Sequence, residues 1–265
     1  MIFAADSKVT TSGIIGLDEK GDPRWVEQTY DNATKIVHDP SQTVMAMVAG
    51  YANIGQESAM DFIMATDRSL MGSHEDQESV LSAVVDSMVE QKKKFWQNTQ
   101  VSEDEWPGPT IWMAAPSSTG KIPRIWEVDL RGAGSKISEI LQDPGIRLEG
   151  SYNEAFGLLY GYEWTVLMGL MKELGIDKDK FGEAMRNLKV LRPVDKLSLS
   201  SMPLQDAIDL AVFLATVQVQ MDRFLPGTPS CGGPIDVMVL RTVPERAILC
   251  FPGKKLHHPI NQRSD

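Results

Sequence analysis

Met1-Ile2-Phe3-Ala4-Ala5-Asp6-Ser7-Lys8-Val9-Thr10-Thr11-Ser12-Gly13 is the stretch on which the reading of this chain turns. Met1 to Ala5 is an unbroken apolar run, closed by the turn-favouring pair Asp6-Ser7. A short apolar run bounded by turn residues reads as a buried strand. It opens on the first residue, so the expectation is an upstream neighbour strand lying outside the sequence. Working outward, Gly13 to Tyr30 carries Gly16, Asp18, Gly21, Asp22 and Pro23 and reads as a loop or hairpin tip. Lys35 to Val37 and Thr43 to Ala49 then read as two strands joined by His38-Asp39-Pro40-Ser41.

Beyond these strands the apolar residues fall at the helical period of 3.6. Ile54 to Leu70 and Gln77 to Gln97 carry apolar residues at helical spacing. Trp106-Pro107-Gly108-Pro109 breaks the chain. Thr110 to Ala115 and Arg124 to Leu130 form a strand pair around Ser117-Ser118-Thr119-Gly120. Asn153 to Leu174 reads as one long helix, and Leu204 to Phe224 as another entered through Pro203. Ile235 to Val243 and Arg246 to Phe251 close the chain as strands. Blocks of strands separated by helix pairs predict an α+β fold, a four-layer αββα sandwich of two antiparallel sheets flanked by helices. The strict strand–helix alternation of a doubly wound sheet is absent.

Composition narrows the function classes. The chain has 265 residues, 42% hydrophobic, and a net charge of −10. It reads as a single domain over residues 1–265 with a frayed polar tail at 254–265. An acidic chain has no general attraction for phosphate backbones, so nucleic acid is not expected as a partner. No apolar run reaches membrane-spanning length, so no membrane partner is expected either. Two cysteines, Cys231 and Cys250, form no framework and read as cytoplasmic, reduced thiols. His38, His74, His257 and His258 lack metal-ligand spacing, and no metal or other cofactor is implied. No G-x-S-x-G elbow occurs. Gly132-Ala133-Gly134-Ser135-Lys136 lacks P-loop spacing. Lys92-Lys93-Lys94 reads as a solvated helix end favoured by the helix dipole.

Three segments resemble one family. Ala4 to Gly13 is similar to the "AADS" strand and turn of proteasome β-type subunits. Asn32-Ala33-Thr34-Lys35-Ile36-Val37 resembles the segment that carries the family's catalytic lysine, notably in the bacterial proteasome homologue. Val48-Ala49-Gly50-Tyr51-Ala52 resembles the turn that supplies an oxyanion-hole amide. Weaker likenesses lie in Gly150 to Gly157 and in Cys231-Gly232-Gly233-Pro234-Ile235-Asp236-Val237. The resemblance implies an N-terminal-nucleophile hydrolase fold and a subunit of a self-compartmentalising threonine-type peptidase that cleaves polypeptides. It also implies a homo-oligomeric or mixed ring of such subunits, with an ATPase unfoldase as a possible partner.

The resemblance carries roles onto particular residues. A threonine hydroxyl attacks while its own α-amine takes the proton. Lys35 would place a cation beside that hydroxyl, and Asp6 would hold Lys35. The Gly50 amide would face the developing oxyanion, where losing one donor costs ~10²–10³ in rate. Ser151 and Asp222 would complete the hydrogen-bond network. Thr10 would pair its backbone with an extended peptide, and Val48 would line the pocket for the residue before the scissile bond. The family places its threonine one strand before the "AADS" segment. The expectation is therefore that the nucleophile lies upstream on a strand of about ten residues, and that the chain beginning at Met1 has no threonine-dependent activity.

Plainer readings stand beside these. Asp6-Ser7 also makes a turn, Gly50 also permits close strand-to-helix packing, and Ser151 serves equally as a helix N-cap. Asp222 reads equally as an exposed charge near a helix end, and Cys231 as a small buried residue beside two turn glycines. A non-catalytic structural or assembly subunit and a small-molecule amidase are the alternative functions.

Overall fold

The apolar run Ile2–Ala5 forms strand β1, and its antiparallel partner is a strand near the other end of the chain, Asp236–Arg241, in register Ile2 with Val239 and Ala5 with Asp236. The structure, a computed structural model, describes residues 1–17, 23–39, 44–54, 57–65, 77–97, 102–115, 123–140, 145–177, 180–181, 183–184, 192–241 and 247–251. The expected tail at 254–265 and His74, His257 and His258 lie outside them. The chain divides into two compact units, Met1–Asp143 with Gly232–Asp265, and Pro144–Cys231.

In the first unit β1 is followed by β2 (Val9–Leu17), β3 (Pro23–Tyr30), β4 (Ile36–His38), β5 (Met45–Gly50), β6 (Asn53–Ile54) and β7 (Glu57–Ser58). Helices α1 (Ala59–Ala65) and α2 (Gln77–Trp96) come next. Strands β8 (Pro109–Ala115), β9 (Arg124–Asp129), β10 (Lys136–Glu139), β11 (Asp236–Arg241) and β12 (Ala247–Phe251) complete it. Among the described residues these strands form two larger antiparallel sheets, β1-β11-β12 and β10-β9-β8-β5-β4, and two two-stranded ones, β2-β3 and β6-β7. The stretch expected to be a hairpin tip is a longer two-stranded ribbon, β2 with β3, running from the Val9–Tyr30 pair to the Leu17–Pro23 pair.

The period of two along β5 and β8 builds two cores at once. Ala46, Val48, Ile111, Met113 and Ala115 face one way, into a cluster with Ala59, Met60 and Ile63 of α1 and Leu81, Val84, Val85 and Met88 of α2. Met45, Trp112 and Ala114 face the other way, packing with Phe3, Met238, Leu240 and Ile248 of the three-stranded sheet. All seven residues of β8 are buried, as a strand covered on both faces must be. The unit is thus helix, sheet, sheet. Three layers are formed here; the four-layer sandwich expected from the sequence is not established by this unit.

Lys92 corrects another expectation. It is 1% exposed, and its ammonium donates to the backbone carbonyls of Leu130, Gly132 and Gly134. The reason is helical phase: Leu81, Val84, Val85, Met88 and Lys92 fall on one stripe of α2. Lys93 and Lys94 rotate outward, where Lys94 pairs with Glu90 at 2.8 Å.

The second unit holds α3 (Asn153–Tyr160), α4 (Trp164–Glu173) and α5 (Leu204–Asp222). The single helix expected over Asn153 to Leu174 is two. Gly161 adopts φ +83° and its amide caps the Gly157 carbonyl at 2.8 Å, which ends α3 in a left-handed cap. Ala155, Leu159 and Leu214 form the buried centre, with Leu148, Val194 and Leu210 packed around it. Gln218 locks α5 to α3 by donating to Glu154 Oε2 at 2.5 Å and accepting the Glu154 amide at 3.3 Å. Among the described residues, no helix is long and apolar enough to cross a membrane.

Candidate functional site

Asp6 leaves the end of β1 and Lys35 precedes β4, so two short strands deliver an acid and a base to one place. Lys35 Nζ donates to Asp6 Oδ1 at 2.7 Å, with the two side chains 22% and 15% exposed. The second oxygen, Oδ2, accepts the amides of Lys8 at 3.1 Å and Gly232 at 2.9 Å. The carboxylate is therefore held from three directions. A charge-assisted bond in such a site contributes about 1.5–3 kcal/mol.

Ser7 laces the surrounding loops together. It is fully buried; its hydroxyl donates to the Pro234 carbonyl at 2.6 Å and its amide to the Gly232 carbonyl at 3.0 Å. Its own carbonyl accepts the Ala33 amide at 2.8 Å. The segments around residues 6–8, 31–35 and 232–234 converge as a result. Sequence reading assigned Ser7 only a turn; its zero exposure depends on Pro234, far along the chain.

Gly50 ends β5. The Lys35 carbonyl accepts the Val48 amide at 2.9 Å, which ties the Lys35 backbone to the strand two residues before Gly50. Gly50 has φ +76° and is exposed, and a Cβ added there would meet nothing within 4 Å. Its glycine requirement is thus conformational alone. Gly50→Ala is expected to cost about 1 kcal/mol of stability from the left-handed backbone, read as a thermal midpoint lower by about 2–4 °C. Val48 is 4% exposed in the helix-side core, and Thr10 is exposed on β2 opposite Thr29.

Ser151 and Asp222 come together within the second unit. Ser151 Oγ lies 2.8 Å from Ser230 Oγ, and Ser230 donates to Asp222 Oδ2 at 3.3 Å. The same oxygen accepts the Cys231 amide at 2.7 Å. Asp222 is buried rather than an exposed helix-end charge. Ser151 does not cap α3, whose N-cap is Tyr152 without a side-chain bond. Ser230 is the member that sequence reading missed; its signal was its place directly before Cys231-Gly232-Gly233. Cys231 is buried and Cys250 exposed, and the two are not joined in a disulfide. Among the described residues, no group of three or more His, Cys, Asp or Glu is placed to hold a metal.

The arrangement in the first unit can fix a lysine cation whose backbone is tied to β5, the strand that ends at Gly50. That is chemistry for lowering the pKa of a hydroxyl or for balancing a developing anion.

No protein-family model matches the chain, and no curated protein matches it. Among solved structures, Anbu from Hyphomicrobium sp. strain MC1 is similar at 13% identity and a TM-score of 0.42, over 96% of this chain and 84% of that one. The motif resemblance implied membership of the proteasome β-type family, and these comparisons correct it. Neither a family model nor a curated relative matches, and a structural likeness at that identity and score carries no argument for family or activity. The site rests on its own geometry.

Proposed function

We propose that the Asp6–Lys35 pair and the Gly50 turn form part of a threonine-type peptidase centre that cleaves polypeptides. The observation that carries this reading is the triply held Asp6 carboxylate, which orients a half-buried Lys35 at 2.7 Å. Lys35 lowers the pKa of the attacking hydroxyl, Asp6 fixes the direction of Lys35, and the Gly50 amide donates a hydrogen bond to the developing oxyanion. The reading needs a threonine nucleophile delivered beside the pair, and the edge of β1 that bears no strand among the described residues is where it would dock. The threonine's own α-amine, with an ordinary pKa near 7.7–8.0, serves as base.

The test is hydrolysis of a fluorogenic peptide by the protein purified from its native source. Lys35→Ala and Asp6→Asn are expected to lower kcat by about 10²-fold or more. A wild-type protein that cleaves no peptide, or a folded Lys35→Ala variant with unchanged kcat, overturns the reading.

The same reading places the chain in an assembly of similar subunits. What supports this is the face of α4 and its C-cap: Val166, Leu170 and Leu174 recur every four residues at 56%, 53% and 68% exposure. An exposed apolar stripe of this kind marks a contact surface. Native mass spectrometry should therefore return multiples of the subunit mass, and Leu170→Glu should shift the distribution toward the monomer.

A further inference from the structure

We infer that Lys8 and Asp31 form a strap over the Gly232-Gly233 turn and are positioning residues for the Asp6–Lys35 pair; this rests on the reading of Lys35 given above. The Gly232 amide is one of the groups that hold Asp6 Oδ2. Gly232 itself is pressed from outside. A Cβ added to it would lie 3.0 Å from Lys8 Cδ, 3.5 Å from Lys8 Nζ and 3.6 Å from Asp31 Oδ1. Lys8 Nζ and Asp31 Oδ1 are themselves 3.7 Å apart. The lysine stem and the ion pair thus cross the face of the Gly232 Cα.

Gly233 is pressed from the same segment. It has φ +70°, and a Cβ there would lie 3.0 Å from the Asp31 carbonyl carbon and closer still to its oxygen. The backbone of Asp31 therefore bears on Gly233 while its side chain reaches Lys8 across Gly232. The Lys8 amide donates to the same Asp6 oxygen as the Gly232 amide. One residue, Lys8, supplies both an inner bond to the carboxylate and an outer strap over the other amide donor.

The strap has little to do with overall stability. Its ion pair is long, and Asp31 is 60% exposed, so solvent screens most of the attraction. What the strap controls is the freedom of the Gly232 amide, and through it the aim of Asp6 at Lys35. A Lys8 side chain only 13% exposed fits that role better than a free surface charge.

The experiment is residue-resolved amide hydrogen exchange by NMR on the full chain, for wild type, Lys8→Met, Lys8→Arg and Asp31→Asn, with thermal midpoints measured in parallel. Lys8→Met and Asp31→Asn are expected to speed exchange at Gly232 about tenfold, with midpoints within about 2 °C of wild type. Lys8→Arg keeps a cation and a stem, and should return exchange to within about twofold of wild type. Unchanged exchange at Gly232 in Lys8→Met overturns the inference. So does equal acceleration in Lys8→Arg, or a general loss of protection with a fallen midpoint. Exchange is read without any substrate, so this outcome is independent of the Lys35→Ala peptidase result that decides the reading beneath it.

Discussion

Gly108→Ala is expected to lower the thermal midpoint by about 6–12 °C, corresponding to a loss of about 3 kcal/mol. An added Cβ would lie 2.5 Å from the Leu130 carbonyl carbon, 3.1 Å from the Arg131 nitrogen and closer still to the Leu130 oxygen. All of these are backbone atoms, so no side chain can swing aside. Pro107 and Pro109 flank the glycine, and their fixed φ angles stop the segment from rotating away. Leu130 cannot retreat either: its amide donates to the Pro109 carbonyl at 3.0 Å, and its side chain is 1% exposed. Gly134→Ala is the control. A Cβ there would meet nothing within 4 Å, and its midpoint should stay near that of wild type. Equal midpoints for the two variants would contradict the argument.

Lys92→Ala is the second substitution with a large expected effect, a loss of about 3 kcal/mol read by urea unfolding. It removes the donor to three carbonyls at once and leaves a cavity along the stem. Lys92→Met keeps most of the stem and separates the two contributions. Burial pushes the Lys92 ammonium below the ordinary lysine value of 10.5, with Asp129 opposing that shift. A base whose folded value is lowered holds its proton less tightly folded than unfolded. Between the lowered value and 10.5 the unfolded chain therefore binds more protons, and stability rises with pH. The stability difference between wild type and Lys92→Met should accordingly grow as pH rises into that window; a shrinking difference would contradict the assignment.

These two predictions meet at one atom. The Leu130 carbonyl accepts from Lys92 and is also the group that an alanine at position 108 would strike. The double variant should depart from additivity by about 0.5–3 kcal/mol, because moving Leu130 for one substitution changes what the other costs.

Much of the architecture was legible in consecutive residues. The apolar runs Thr43 to Ala49 and Thr110 to Ala115 marked strands, and the helical period of Gln77 to Gln97 marked α2. Turn chemistry at Trp106-Pro107-Gly108-Pro109 marked the break between them. The candidate site was legible only in part. Asp6, Lys35 and Gly50 were named from short motifs, whereas Ser7 and the Lys8–Asp31 strap carry no local signal that separates them from ordinary turn residues.

The long apolar stretch from Asn153 to Leu174 shows why local pattern falls short. Its periodicity continues through Gly161, but a glycine tolerates helix and left-handed backbone alike, and the cap on Gly157 chose the second. Lys92 shows the same limit in the opposite sense. Its position on the buried stripe of α2 could be counted from sequence, yet a charge on such a stripe is acceptable only if acceptors arrive to meet it. Those acceptors are backbone carbonyls 38 to 42 residues further along. By itself the sequence determined the strand pairs β4–β5 and β8–β9 and the helices α2 and α5, since periodicity and turn preference belong to neighbouring residues. Only the tertiary structure decided which polar groups are buried and what holds Asp6 against Lys35, because hydrogen-bond satisfaction inside a protein depends on partners that the chain brings from far away.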